Sequence, residues 1–230
     1  MGKTVQRPQD ALARSRPNTP WTWHRALRRG VELVRHEGVR SLWFGILGET
    51  VYRRVILMER LLDQPITAPT ARLPVAINLL QATEVDEYAE FRRGTDIEET
   101  RRRLAAGHRA FVARYQGQIV HAGWAAVERA WIDYLACDIV LAANEVFQYG
   151  SYTVPGFRGL NIAAVRISEM MRYFRDAGFR RIVAAVVPHN LPAFAPLVKT
   201  GYQPYSLMGY IEIGRWRRDF RRARGGPCSR

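Results

Sequence analysis

Residues 152–164 read YTVPGFRGLNIAA and join an alternating apolar stretch to a long amphipathic one. Pro155 lacks a backbone N–H and ends a strand, while Gly159 lets the backbone approach a ligand closely. We therefore predict a strand over 145–154, a glycine-bearing loop and a helix over 160–177 that stops at Gly178. This segment sets the fold, because its strand and helix are the most regular elements of the chain.

The predicted loop suits a diphosphate. The first turn of a helix leaves backbone N–H groups without partners, its dipole places positive charge there, and Ala163 keeps this turn small. The segment lacks the three glycines of a dinucleotide fingerprint and the lysine of a nucleotide triphosphatase loop. A turn with only a structural role is the alternative at this point.

The surrounding sequence predicts strands and helices in mixed order. We expect strands at 75–80, 110–115, 119–127, 139–142, 181–187 and 205–213, and helices at 83–91, 96–107 and 191–200. Glycine, proline and polar residues separate these elements. The order indicates an α+β fold, with one mixed central sheet flanked by helices over residues 75–213.

The flanking segments have different compositions. Residues 1–20 resemble a disordered leader, 21–62 an amphipathic helical extension, 63–74 a proline-bearing linker, and 214–230 a basic tail. The helical prediction rests on apolar residues three and four apart between Ser41 and Leu62.

Arginines alternate with aromatic residues in 21–62, which suits an anionic membrane surface and a peripheral location at the inner membrane face. Docking on the domain itself, or on a second subunit in a homodimer, is the alternative.

Composition limits the other function classes. The 230 residues, 47% of them hydrophobic, suffice for one sizeable core. Two cysteines are too few for a disulfide scaffold or a zinc site, so we expect a cytoplasmic protein without a metal. The charge of +14 comes almost wholly from arginine, which codon bias also produces, and no nucleic-acid reader motif accompanies it. We therefore expect no specific nucleic-acid partner.

The loop resembles the Arg-x-x-Gly-x-Gly/Ala segment of the GNAT superfamily of N-acetyltransferases, with Arg158 first and Ala163 last. Asn161 stands where the family has its middle glycine, and asparagine tolerates unusual backbone angles better than most residues. A second motif, from Asn190 through Ala193 to Gly201 and Tyr202, is similar to the family's Asn-x-x-Ala segment ending in Gly-Phe. The resemblance covers roughly 75–213.

The resemblance implies an acyl-CoA co-substrate and an acyl-CoA N-acyltransferase fold. In such proteins the strand before the loop separates from its neighbour, and the pantetheine arm pairs with its backbone. The implied cofactor-binding residues are Tyr152, Thr153, Val154, Arg158, Gly159, Leu160, Asn161, Ile162, Ala163 and Asn190.

The resemblance also implies direct attack of an amine on the thioester, with a base and an acid. The family often takes its acid from a tyrosine seven residues after the motif asparagine, where this chain has Leu197. We take Tyr202 as the candidate acid, with Tyr205 and Tyr210 as alternatives, and Glu145 as the candidate base, with His121 as an alternative.

The predicted function is transfer of an acyl group to a primary amine of a small molecule such as an amino sugar or amino acid. Acetyl is the favoured acyl group. The alternatives are a non-catalytic CoA-binding or scaffolding module and a protein N-acetyltransferase.

Overall fold

A computed structural model describes residues 51–67 and 69–223. The predicted leader, residues 21–50 of the predicted extension and residues 224–230 of the predicted tail lie outside the described residues.

The elements follow one another in mixed order. The strands are β1 Tyr52–Leu61, β2 Ala76–Leu79, β3 Arg109–Tyr115, β4 Gln118–Val127, β5 Arg129–Ile132, β6 Cys137–Val140, β7 Glu145–Thr153, β8 Arg181–Val186, β9 Gln203–Ile213 and β10 Trp216–Ala223. The helices are α1 Val85–Phe91, α2 Ile97–Ala105, α3 Ile162–Asp176 and α4 Leu191–Lys199.

Eight strands form one sheet in the order β10-β9-β1-β8-β7-β4-β3-β2, and β5 and β6 form a separate pair. Every neighbouring pair in the large sheet is antiparallel except β7 and β8, which run parallel. The structure therefore confirms the predicted mixed sheet flanked by helices. The single parallel pair lies near the middle of the sheet.

Helix α3 covers one face of the sheet at this parallel pair. Its residues Ile167, Met170 and Met171 are buried against Val146 of β7 and Ile182 of β8. Side chains three and four apart share a helix face, which explains why these residues pack together. Each fully buried apolar side chain contributes roughly 1.5–3 kcal/mol, so α3 is held firmly against the strands that precede and follow it.

Strand β1 corrects the sequence prediction, since residues 52–61 were expected to belong to a helix that ends at Leu62. The strand lies between β8 and β9, and both of its faces are covered. Val55 and Leu57 are buried on one face, and Met58 is buried on the other. The apolar run from Val55 to Met58 fills both faces of the strand, and together with Leu62 it also satisfies helical spacing. Residues 52–61 therefore belong to the same sheet as the strands that follow residue 75.

Strand β10 is a second correction, because residues 214–230 were predicted to be a basic tail. Trp216–Ala223 pairs with β9 along its whole length, after a turn in which Gly214 has a φ of 61°. Arginine dominates the composition, but Phe220 stacks on Tyr52 with ring centroids 5.7 Å apart. Strand β10 lies at the edge of the sheet and pairs on one side only. Its charged side chains remain in solvent, as is common for edge strands.

Candidate functional site

The parallel strands β7 and β8 separate part of the way along their length. They are in register from Glu145 opposite Arg181 to Gln148 opposite Ala184, and β7 then continues to Thr153 without a partner on that side. A bulge accompanies the separation, because two residues of β7, Gly150 and Ser151, oppose the single Gly123 of β4. Bulges bend a strand and increase its twist, which turns β7 away from β8. We call the point after Gln148 and Ala184 the split.

A cleft of about 790 Å³ opens at the split. Its walls are the free edge of β7, the end of β8, the loop before α3, and α4. Nine of the ten predicted cofactor-binding residues line it: Tyr152, Thr153, Arg158, Gly159, Leu160, Asn161, Ile162, Ala163 and Asn190. The tenth, Val154, is buried beside the cleft and is not part of its lining. The size suits a large organic ligand.

The loop between β7 and α3 presents backbone N–H groups to this cleft. Phe157, in a short 3-10 turn, is 1% exposed and fixes the base of the loop. Asn161 begins α3 with φ 62° and ψ 9°, the left-handed conformation, and its side chain does not cap the helix. The N–H groups of the first turn of α3 therefore have no side-chain capping acceptor and are available to an anion.

Lys199 adds a cation to the same region. Its Nζ donates a hydrogen bond to Asn161 Oδ1 at 2.7 Å, from the last residue of α4 across the mouth of the cleft. The N-terminus of α3 and an exposed ammonium group thus lie side by side, and both favour a negatively charged ligand.

Tyr149 and His108 form a hydrogen-bonded pair on the opposite face of the sheet from α3. Tyr149 follows the split directly and lines the cleft, and its hydroxyl lies 2.6 Å from His108 Nδ1. Burial raises the pKa of Tyr149, whereas burial and the Arg103 guanidinium lower the pKa of His108. At neutral pH the phenol keeps its proton and the imidazole is neutral, so this pair can accept a proton.

A second buried chain of polar groups lies under α3. Arg166 Nε donates to His121 Nε2 at 3.2 Å, and His121 Nδ1 lies 2.8 Å from Thr153 Oγ1. Because an arginine N–H only donates, His121 carries its proton on Nδ1 and donates it to Thr153. Burial, followed by the Arg166 charge, holds the pKa of His121 well below its usual range. His121, the alternative candidate for the base, therefore has both ring nitrogens occupied by these hydrogen bonds.

The structure does not bring Glu145 to the cleft. Its carboxylate pairs with Arg181 at 2.6 Å and accepts from the backbone N–H of Ala142 at 3.1 Å. Arg181 also pairs with Glu59 at 2.7 Å. Glu145 lies at the closed end of the parallel pair, three residues before Gln148, or about 10 Å along the strand.

Tyr202 also lies outside the cleft lining. It is buried, burial raises its pKa, and its hydroxyl has no hydrogen-bond partner in the part of the chain that the structure describes. Leu197 is in the same buried cluster as Tyr202, is 4% exposed and lines the cleft. An apolar side chain thus occupies the place of the family's usual acid.

Four residues at the site were not singled out as site residues from sequence: Tyr149, His108, Arg166 and Lys199. Tyr149 and His108 are 41 residues apart and meet only through the pairing of β3, β4 and β7, so no local signal marked them. Arg166 had a signal, because it lies on the apolar face of a helix between Ile162 and Met170, where a charged residue is unusual.

The family model described as "Acetyltransferase (GNAT) family" matches residues 76–202. No curated protein sequence matches the chain.

Several solved structures are similar. A GCN5-related N-acetyltransferase from Sphaerobacter thermophilus is 16% identical with a TM-score of 0.50, over 73% of this chain and 54% of that one. The aminoglycoside acetyltransferase AAC(6')-Iy, solved with a bisubstrate analogue, is 17% identical with a TM-score of 0.47, over 63% of this chain and 97% of that one.

A putative acetyltransferase from Salmonella typhimurium, solved with acetyl-CoA, is 14% identical with a TM-score of 0.44, over 65% of this chain and 91% of that one. At these identities the likeness concerns the fold. The chain spans about half the length of the Sphaerobacter protein and of a similar Drosophila protein, 54% in each case. Among the described helices, none is long and apolar enough to cross a membrane.

Proposed function

Because the chain belongs to the acetyltransferase (GNAT) family, we propose that it is an acyl-CoA-dependent N-acyltransferase. The favoured acyl group is acetyl. The acceptor is a primary amine of a small molecule such as an amino sugar or an amino acid. The observation that carries the proposal is the split between β7 and β8, which opens directly beside the uncapped N-terminus of α3. One end of the cleft suits a diphosphate, and the other offers an unpaired strand edge.

The donor is held mainly by backbone groups. The pyrophosphate takes the N–H groups of residues 158–163, with Lys199 as an additional cation. The pantetheine arm pairs with the free edge of β7 at Tyr152 and Thr153, as an added strand pairs with a sheet edge. Asn190, at the start of α4, lies on the other wall. The thioester then lies near the split.

The reaction is a direct transfer. The amine nitrogen forms a C–N bond with the thioester carbonyl carbon, the C–S bond breaks, and its electron pair leaves on the CoA sulfur as a thiolate. Tyr149 accepts the amine proton at its phenol oxygen while passing its own proton to His108 Nδ1. The Tyr149–His108 pair replaces Glu145 as our candidate base, because it is the proton-accepting group that borders the cleft.

A thioester-consumption assay tests this function. The protein is mixed with acetyl-CoA and a panel of amines that includes amino sugars, amino acids and a lysine peptide, and release of the CoA thiol is followed. We expect release that depends on a small amine. Release with the peptide alone would favour a protein acetyltransferase, and CoA binding without release would favour a non-catalytic module.

Contact with an anionic membrane surface remains a proposal for residues 21–50, whose arginine and aromatic content motivates it. Flotation with anionic liposomes tests it. The deletion to compare is residues 1–50 rather than 1–62, because β1 belongs to the sheet. Unchanged flotation after this deletion would contradict the proposal.

A further inference from the structure

Arg166 is a buried cation without an acidic partner. Its side chain is 1% exposed, and its hydrogen-bond acceptors are His121 Nε2 at 3.2 Å and Met170 Sδ at 3.4 Å. Within residues 51–67 and 69–223 no carboxylate pairs with it. Burial lowers the pKa of Arg166 to about 10, so the guanidinium still carries its charge at neutral pH. Burying an uncompensated charge is unfavourable, and a folded chain rarely keeps one without a use.

The guanidinium packs over β4 opposite the bulge of β7. A Cβ atom added to Gly123 would lie 2.6 Å from Arg166 Cζ, so glycine at this position makes room for the side chain. Gly123 is the residue of β4 that faces the bulge of β7 at Gly150 and Ser151. Arg166 also contributes to the cleft lining. The charge therefore lies where the thioester of a bound donor is expected.

The groups around Arg166 do not cancel its charge. His121, on β4, is neutral because its pKa is well below the usual range. Tyr202, which follows α4, interacts with Arg166, but burial raises its pKa and keeps its proton in place. Gln148, on β7, is a neutral amide whose Oε1 is buried without a hydrogen-bond partner among the described residues. The field of the cation therefore reaches the cleft.

We propose that Arg166 stabilises the negative charge that the reacting thioester develops at the split, first on the carbonyl oxygen and then on the departing CoA sulfur. It acts by its fixed charge and through the His121–Thr153 hydrogen bonds, which polarise one another. Arg166 is therefore a positioning residue, because it acts on the thioester through its charge and through neighbouring side chains. The inference rests on the proposed function only in that a CoA thioester occupies the cleft. It also accounts for Leu197, since a stabilised thiolate can leave without a nearby acid.

The first experiment separates this role from a structural one. Arg166→Met removes the charge but keeps a long side chain, and we expect kcat to fall roughly 100-fold while KM for acetyl-CoA changes less than about threefold. The melting temperature should stay the same or rise, because a buried unpaired charge is lost. Arg166→Lys should recover part of kcat. The matched control is Arg172→Met, which removes only a half-exposed ion pair with Glu169 on the same helix.

The second experiment does not need turnover. The ionisation of the CoA thiol bound to the protein is followed by the ultraviolet absorbance of the thiolate, with desulfo-CoA as the blank. In the wild type we expect the thiolate to bind at least about tenfold more tightly than the thiol, which lowers the thiol pKa by about one unit. Arg166→Met should abolish this preference. If no amine is acylated but the preference is present, the proposed function fails and this inference stands.

Three results would overturn the inference. The first is an equal affinity of the wild type for the CoA thiol and thiolate. The second is a fall in melting temperature large enough to explain the lost activity of Arg166→Met. The third is a loss confined to a donor with a carboxylate on its acyl group, such as succinyl-CoA, which would make Arg166 a receptor for that carboxylate instead.

Discussion

Lys199 Nζ donates a hydrogen bond to Asn161 Oδ1 at 2.7 Å and so joins the end of α4 to the loop before α3. Asn161 has a second hydrogen bond, from its Nδ2 to the carbonyl of Thr70 at 3.4 Å. It therefore combines a left-handed backbone conformation with a side chain that fixes the loop to two other segments. Glycine, which the family has at this position, supplies only the first of these.

Substitutions at Asn161 should separate the two contributions. Asn161→Ala keeps a Cβ in a left-handed conformation without the hydrogen bonds, and the strain costs about 1–2 kcal/mol. We expect its affinity for acetyl-CoA, measured by calorimetry, to fall about tenfold. Asn161→Gly removes the strain and should lose about threefold or less. Equal losses in both variants would show that the backbone conformation is unimportant for binding.

Glu145→Gln tests the residue that the sequence favoured as the base. The carboxylate belongs to an ion-pair network with Arg181 and Glu59, at the closed end of the parallel pair. We expect the free energy of unfolding, from urea titration, to fall by about 1 kcal/mol. The kcat/KM value should stay within about twofold of the wild type. A large drop in kcat with unchanged stability would instead restore Glu145 as the base.

The Tyr149–His108 pair predicts how activity depends on pH. Burial and Arg103 lower the pKa of His108 below its usual value of 6.5, and the neutral imidazole is the active form. At a constant concentration of unprotonated amine, kcat/KM should therefore be nearly constant above pH 6.5 and fall as the pH drops through the lowered pKa. His108→Gln and Tyr149→Phe should each lower kcat by about 10²-fold. An acid limb that persists in both variants would assign the proton to another group.

His121 predicts an acid-sensitive fold. Its pKa is well below 6.5 in the folded state, so below pH 6.5 the unfolded chain binds a proton that the folded chain does not. The contribution of His121 to the free energy of unfolding is fully present above pH 6.5. It falls as the pH drops, by up to about 1.4 kcal/mol per pH unit. His121→Asn should be less stable at pH 7.5 but should lose less stability between pH 6.5 and 5. Urea unfolding at several pH values measures both slopes.

The sequence predicted the central part of the fold well. The loop from Pro155 to Asn161 and the helix behind it have strong local signals, a proline that ends a strand and a glycine that permits a turn. Strand β1 was not predicted because its apolar run from Val55 to Met58, buried on both faces, satisfies helical spacing as well. Strand β10 was missed because its four arginines are typical of a solvated tail, and its pairing depends on cross-strand contacts such as that of Phe220 with Tyr52.

The strand–loop–helix segment that borders the cleft was predictable from the sequence, whereas the buried pairs beside it were not. We propose that backbone N–H groups of this segment bind the donor, and their position follows from the strand–loop–helix order alone. Tyr149 meets His108, and Arg166 meets His121, only after strands distant in sequence pair in the sheet. The neutral state of both imidazoles also depends on burial, which spacing in the sequence does not reveal.

We propose that a CoA thioester lies in the cleft between β7 and β8. Amide hydrogen exchange, measured with and without acetyl-CoA, tests this placement. We predict slower exchange for the backbone N–H groups of residues 150–153 and 158–164, and no change in β10, which lies at the far edge of the sheet. Binding of acetyl-CoA that leaves exchange at 150–153 and 158–164 unchanged would contradict the claim.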